Sequence, residues 1–134
     1  MIATPIQIRF SDCDMLQHVN NAVYLQYFEV ARMNFLNQEL PNWNWSKQGI
    51  ILLKNTVEYK IPLFLTDTCV VEIDCSHIGN KSFTLTYKIQ VKKGENVITK
   101  TIGESILVCY DFIQKETISL PTNLETILKK HLIV

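Results

Sequence analysis

Long hydrophobic runs are missing from this sequence. No stretch approaches the roughly 20 apolar residues of a membrane-spanning helix, so no transmembrane helix is expected. An excess of either charge is missing too: Lys and Arg together number 13, as do Asp and Glu, and the formal net charge is zero. Without a basic field there is no general hold on nucleic acid or on an anionic membrane, and neither is expected as a partner. Glycine and proline are sparse, four of each. No Gly-, Pro- or Ser-rich linker, internal repeat or low-complexity segment divides the chain. The four cysteines, Cys13, Cys69, Cys75 and Cys109, form no C-x-x-C pair, so neither a zinc cage nor a disulfide framework is expected. The first residues, Met1-Ile2-Ala3-Thr4-Pro5, lack the basic and apolar regions of a secretory signal. Together these absences predict reduced thiols in a cytoplasmic protein.

What is present suits a globular core. The 134 residues are 47% hydrophobic, 10% aromatic and 19% charged, too apolar for a disordered chain. That length predicts one domain, 1–134. Residues 5–10 alternate Ile6, Ile8 and Phe10 with polar neighbours and predict a strand. Residues 21–37 predict a helix, with Asn20 or Asn21 placed to cap it. This helix is apolar almost all round, with Gln26, Glu29 and Arg32 as a narrow polar stripe. It must therefore be wrapped by something.

Four later segments supply the wrapper. Ile51, Leu53, Val57, Tyr59 and Ile61 alternate along 50–61, and Cys69, Val71, Ile73 and Cys75 along 69–75. Phe83, Leu85, Tyr87, Ile89 and Val91 alternate along 82–92, and Ile98, Ile102, Ile106, Val108 and Tyr110 share a face along 97–110. Long one-faced strands joined by short turns such as Lys93-Gly94-Glu95-Asn96 predict an antiparallel sheet. Pro121 followed by Thr122-x-x-Glu125 predicts a capping box opening a short last helix. The fold class is α+β: a curved antiparallel sheet around one long central helix.

The densest polar cluster joins the first strand to that helix: Asp12-Cys13-Asp14-Met15-Leu16-Gln17-His18-Val19-Asn20-Asn21. Polar groups beside an apolar core need hydrogen bonds or a function. A helix N-terminus offers free N–H groups and partial positive charge, which suit the oxyanion formed when a carbonyl is attacked. A carboxylate on the preceding loop can attack that carbonyl or activate water. Turn and capping roles explain the same residues without chemistry. Asp12-x-Asp14 with His18 lacks the remaining ligands of a calcium loop, and no metal site is expected.

The segment from Arg9 to Arg32 resembles the signature of the 4-hydroxybenzoyl-CoA thioesterase family of hotdog-fold proteins. That pattern is R-[FY]-x-D-x-D-x-x-G-H-x-N-N-x-x-Y with E-x-A-R closing the helix segment, here Glu29-Val30-Ala31-Arg32. The likeness extends to Val57-Glu58-Tyr59-x-x-Pro62, to Gly79-x-Lys81-Ser82, and to Asp111 ahead of Leu120-Pro121. It implies a hotdog fold, hydrolysis of an acyl-CoA or related acyl thioester, and a homodimer or homotetramer. Coenzyme A is then part of substrate and product, and no separate cofactor is implied.

By the same resemblance Asp14 is the catalytic carboxylate, as nucleophile or general base. The Asn21 N–H polarises the thioester carbonyl, and Tyr24 borders the acyl pocket, for which Phe28 and Phe83 are further candidates. Gly79, Lys81 and Ser82 form the turn near coenzyme A, with Lys81 as a phosphate partner. Asp12 holds the loop; His18 and Asn20 orient it or a water. Glu29 is a second candidate carboxylate, its alternative being a pair with Arg32 one turn on. Gln17 stands where the family has glycine, at a turn that glycine often serves through a positive φ. Two other readings remain open here: a hydratase or dehydratase of acyl thioesters, and a non-catalytic acyl-CoA-binding homo-oligomer.

Overall fold

The computed structural model describes residues 1–133; Val134, the last residue of the expected domain, lies outside them. The alternation along 69–75 and 82–92 holds in β3 (Cys69–Ile78) and β4 (Ser82–Lys93). Cys69, Val71, Ile73 and Cys75, with Phe83, Leu85, Tyr87, Ile89 and Val91, are all buried on one face. Gly94, at φ +61, turns β4 into β5 (Asn96–Asp111). β1 (Ile2–Ile6) flanks β3, β2 (Gln48–Tyr59) flanks β5, and the order is β1-β3-β4-β5-β2. The short β6 (Glu116–Thr117) pairs with the end of β5. Every pairing is antiparallel.

The sheet curves around α1 (Val23–Glu39), which buries Tyr24, Tyr27, Phe28, Ala31, Phe35 and Leu36 at the three- and four-residue spacing of one helix face. The α+β architecture is the expected one. Gly103 shows how closely helix and sheet approach, since a Cβ there would lie 2.6 Å from the Phe28 ring.

Several local expectations are corrected. The helix is apolar-packed on one face only; Gln26, Glu29, Val30 and Asn37 are exposed. Arg32 leaves the polar stripe for the buried face, where its guanidinium donates to the Tyr87 hydroxyl at 3.0 Å. The guanidinium is therefore turned away from Glu29 and does not pair with it. The first strand ends at Ile6, which pairs with Cys69, the first residue of β3. Beyond it there is no partner strand among the described residues, and Phe10 is 82% exposed.

Two β-bulges break the alternation expected for β5 and β2. In β5 the partners of Ile89 and Gln90 are Thr101 and Thr99, so Lys100 is an extra residue. Ile98 lies on the helix side, but beyond the bulge Thr101, Ser105, Leu107 and Cys109 do, while Ile102, Ile106, Val108 and Tyr110 face outward. In β2 the extra residue is Leu53, so Ile51 and Val57 lie on opposite faces. β2 is a sheet edge, and Ile51, Leu52 and Leu53 are exposed on it. A third irregularity, at Ser76, bends β3. Each bulge adds local twist, which helps the sheet wrap the helix.

The last helix, α2 (Thr122–Lys130), starts one residue earlier than a Thr122 cap requires. Pro121 occupies the cap position, Thr122 is already helical, and Glu125 pairs with Lys129 at 2.9 Å instead of closing a capping box.

Candidate active site

The loop between β1 and α1 is tied down by Asp12. A single 3-10 turn, Phe10–Asp12, places this carboxylate inside, 3% exposed. The Tyr27 hydroxyl donates to it at 2.7 Å, the Arg9 N–H at 3.0 Å and the Arg9 guanidinium at 3.2 Å. Burial pushes the Asp12 carboxyl up, but these donors together outweigh it and hold its pKa below the usual carboxylate range. Burial and the same carboxylate push the Tyr27 hydroxyl strongly up, so it stays a donor. Asp12 thus fastens the loop to the second turn of the helix.

Beyond Asp12 the chain folds back on itself. Cys13 bridges Val19, Asp14 N–H donates to the His18 carbonyl at 2.9 Å, and Asn20 N–H donates to the Asp12 carbonyl at 2.9 Å. Asp14 is exposed at the tip, beside Met15 and Leu16, which are 99% and 73% exposed. One of its oxygens accepts the Leu16 N–H at 2.9 Å; the other has no partner among the described residues. His18 is half-buried with its ring edge-on to Phe64, centroids 4.9 Å apart.

The turn in this loop is made by Gln17, at φ +62. A side chain in this left-handed region is strained by about 1–2 kcal/mol. The loop therefore takes the shape that a glycine would give it, with Gln17 carrying the strain. Gln17→Gly is expected to stabilise the protein by about 0.5–1 kcal/mol, the relief exceeding the extra entropy of an unfolded glycine. Urea unfolding of the two proteins measures it, and an unchanged or lower midpoint would refute the strain.

The helix begins two residues later than expected. Ala22 is its cap position, and the Asn20 side chain accepts the Ala22 N–H at 2.9 Å while the Asn20 carbonyl accepts that of Val23 at 2.9 Å. Asn20 therefore does the capping, and the Asn21 N–H finds no acceptor among the described residues. The Asn21 carbonyl accepts the Tyr59 hydroxyl at 2.9 Å. Tyr24 is buried; its hydroxyl accepts the Leu63 N–H at 3.0 Å, and Tyr59 packs edge-on against its ring. Phe28 and Phe83 are also wholly buried, Phe28 stacked on Tyr87 at 4.3 Å. Their side chains fill the core.

Asp14, His18, Asn21 and Tyr24 thus share one end of the sheet, while Gly79, Lys81 and Ser82 lie at the other. The loop adjoins the start of β3 at Cys69, and the Gly79–Ser82 turn follows its end at Ile78, about 30 Å away at the usual strand rise. There Gly79 N–H donates to the Ser82 carbonyl at 2.7 Å, and Lys81 is exposed. Glu29 stands apart on the outer helix face, over a groove with Gln26, Val30 and Met33. Among the described residues no three His, Cys, Asp or Glu side chains converge as metal ligands. Burial pushes the Cys69 and Cys109 thiols up to about 11, which keeps them protonated and unreactive.

Two supports of the loop carry no local sequence signal: the Tyr27 hydroxyl, 15 residues from Asp12, and a buried Lys100–Asp67 pair at 2.7 Å.

A curved antiparallel sheet around a central helix is the hotdog fold, and here the loop that enters the helix carries the exposed Asp14 carboxylate and leads to a backbone N–H without an acceptor among the described residues. Residues 8–128 match the thioesterase-like superfamily, and the chain belongs to it. It is 26% identical to the long-chain acyl-CoA thioesterase FadM of Escherichia coli K12, over 95% of this chain and 96% of that one. It is 24% identical to the acyl-CoA thioester hydrolase YbgC of Escherichia coli O6:H1, over 90% of each. A thioesterase of Thermus thermophilus, solved with coenzyme A and zinc, superposes with a TM-score of 0.81 at 26% identity, covering 95% of this chain and 96% of that one. No helix of the described residues is long and apolar enough to cross a membrane.

Proposed function

We propose that the chain hydrolyses acyl-CoA thioesters, with Asp14 as the catalytic carboxylate and the Asn21 N–H as the oxyanion donor. The observation that carries this is an exposed Asp14 oxygen without a partner among the described residues, on a loop that also leads to the unused Asn21 N–H. The Asn21 N–H donates to the thioester carbonyl oxygen. Asp14 then attacks the carbonyl carbon, or takes a proton from a water that does. When a water attacks, the C–S bond breaks, the thiolate takes the proton held by Asp14 and leaves as coenzyme A, and the free acid remains. When Asp14 attacks, the same bond breaks and the acyl group stays on Asp14 as an anhydride; a water then cleaves it, giving the free acid and a proton for the thiolate.

Acyl-CoA as substrate is supported by the activities of the relatives and by the coenzyme A bound to a structural neighbour. The finer family we infer is the 4-hydroxybenzoyl-CoA thioesterase type, acting on a fatty or aromatic acyl group in the cytoplasm. An acyl carrier protein is an alternative donor. No cofactor beyond the substrate's own coenzyme A enters this reading.

The site reading requires a second copy of the chain. The β2 edge has unpaired backbone groups and exposed Ile51, Leu52 and Leu53, and such edges tend to be covered. Pairing two β2 edges about a twofold axis sets the strands antiparallel. The Gln48 end of one then meets the Tyr59 end of the other. This carries the Gly79, Lys81 and Ser82 turn of the partner subunit toward the Asp14 loop, with Lys81 placed for a coenzyme A phosphate. Light scattering is expected to give a dimer or tetramer; a monomer that turns over acyl-CoA would refute the shared site.

The activity itself is tested with a mixed acyl-CoA panel, following free acid and coenzyme A by mass spectrometry. Hydrolysis is expected, with the preferred acyl group read directly. Release of an enoyl or hydroxyacyl thioester instead would overturn hydrolysis in favour of a hydratase.

A further inference from the structure

Lys100 is the extra residue of the β5 bulge, and the bulge turns its side chain inward beside the equally buried Thr101. Bulges near active sites commonly re-aim a side chain in this way. Lys100 is 2% exposed, and its ammonium group donates to Asp67 at 2.7 Å and to the Pro62 carbonyl at 2.9 Å and lies 4.7 Å from the centroid of the Phe64 ring. Asp67 also accepts the Phe64 N–H at 2.9 Å. A buried ion pair is seldom a net gain in stability over apolar packing, so its retention here invites a positional explanation.

The segment it holds, 62–67, is the outer wall of the Asp14 loop. The Leu63 carbonyl accepts the Val19 N–H at 2.9 Å, and the Leu65 N–H donates to the Gln17 carbonyl at 3.3 Å. Leu63 N–H donates to the Tyr24 hydroxyl, and Phe64 bridges His18 and packs against its ring. The opposite side of the loop is fastened by Asp12 to Tyr27.

We infer that Lys100 is a positioning residue for the reaction: through Asp67 it holds the 62–67 segment, whose Leu65 and Phe64 set the place of Gln17 and His18, and with them the Asp14 tip. This rests on the reading of the Asp14 loop as the site. Lys100 does not touch Asp14; its ammonium partners are Pro62, Asp67 and Phe64. A loop displaced by a fraction of an ångström still binds coenzyme A but aligns the carboxylate poorly with the thioester carbon.

The test compares wild type, Lys100→Met, Lys100→Arg and Asp67→Asn as full-length proteins. Steady-state hydrolysis of the best acyl-CoA of the panel gives kcat and KM. The NMR spectrum of ring-labelled histidine, with His18 assigned by a His18→Gln variant, reports the loop directly. Lys100→Met is expected to lower kcat about tenfold with KM changed less than about twofold, and to move the His18 resonance. Lys100→Arg, keeping the charge against Asp67, is expected to recover most of kcat and the wild-type resonance. If Lys100→Met does not fold, Asp67→Asn, which keeps an acceptor for Phe64 N–H, is expected to show both effects in weaker form. Lower stability with kcat and the His18 resonance unchanged would overturn the proposal, as would a fall in kcat without movement of His18. If wild type hydrolyses no acyl-CoA, the functional reading fails, while the His18 resonance still decides whether Lys100 positions the loop.

Discussion

Asp14→Asn is expected to lose about a thousandfold in kcat while melting at nearly the wild-type temperature. The activity loss follows from removing the exposed carboxylate of the loop; asparagine neither takes a proton from water at neutral pH nor attacks a thioester. General-base contributions run about 10²–10⁴, and a thousandfold loss corresponds to about 4 kcal/mol in the barrier. The unchanged stability follows from the surroundings. Asp14 is exposed, and its one side-chain hydrogen bond among the described residues, from the Leu16 N–H, is kept by the asparagine carbonyl oxygen. Mass spectrometry of free acid and coenzyme A, with circular dichroism on the same samples, separates the two effects. Turnover within a few-fold of wild type would remove Asp14 from the chemistry.

Asp12→Ala, two residues earlier, is expected to do the opposite first: to destabilise the fold by about 3 kcal/mol, with activity lost as a consequence. Removing this buried carboxylate leaves the Tyr27 hydroxyl without its acceptor inside the protein and frees Arg9. Urea unfolding gives the size; a loss under about 1 kcal/mol would show that water replaces the carboxylate easily.

The same residue predicts a pH dependence. Asp12 and Asp67 are held below the usual range: burial opposes ionisation in both, but Tyr27 and Arg9, or Lys100 and the Phe64 N–H, outweigh it. Glu39 is lowered chiefly by the Lys130 hydrogen bond, against burial and aided by His131. A carboxyl whose folded pKa lies below its unfolded value, near 4, stabilises fully above that value and progressively less as pH falls toward the folded one. The melting temperature is therefore expected to be level on this account above about pH 5 and to fall below about pH 4. Asp12→Ala is expected to show a shallower acid slope than wild type, and equal slopes would show that Asp12 is not one of the groups responsible.

Where residues act with near neighbours, the sequence is legible. The alternation of β3 and β4 is a local, period-two pattern, and every apolar residue assigned to their inner face is buried. The polar run from Asp12 to Asn21 is legible as a loop that must be satisfied or used. Failures begin where one residue slips. One extra residue at Lys100 sends Ile102, Ile106, Val108 and Tyr110 to the outer face, and another at Leu53 splits the apparent face of β2. Bulges depend on the partner strand and leave little trace in either strand's own alternation. Arg32 shows the same limit on the helix: its charge suggested the polar stripe, yet its angular position places it among Phe28 and Phe35, where Tyr87 accepts its hydrogen bond.

The sequence by itself determined the α+β architecture, the long helix with its wrapping strands, and the family motif from Arg9 to Arg32. These rest on periodicity and on residue types within a few positions of one another. Only the tertiary structure decided that Asp12 is locked inside while Asp14 is exposed, that Asn20 caps and leaves the Asn21 N–H without an acceptor among the described residues, and that Lys100 and Asp67 hold the wall of the loop. It also decided that Lys81 lies at the far end of the sheet from Asp14 within one chain. The physical reason is common to all of these: hydrogen-bond partners, register and burial are settled by elements far apart in the chain, and the strength of an ion pair or the exposure of a carboxylate exists only once they have met.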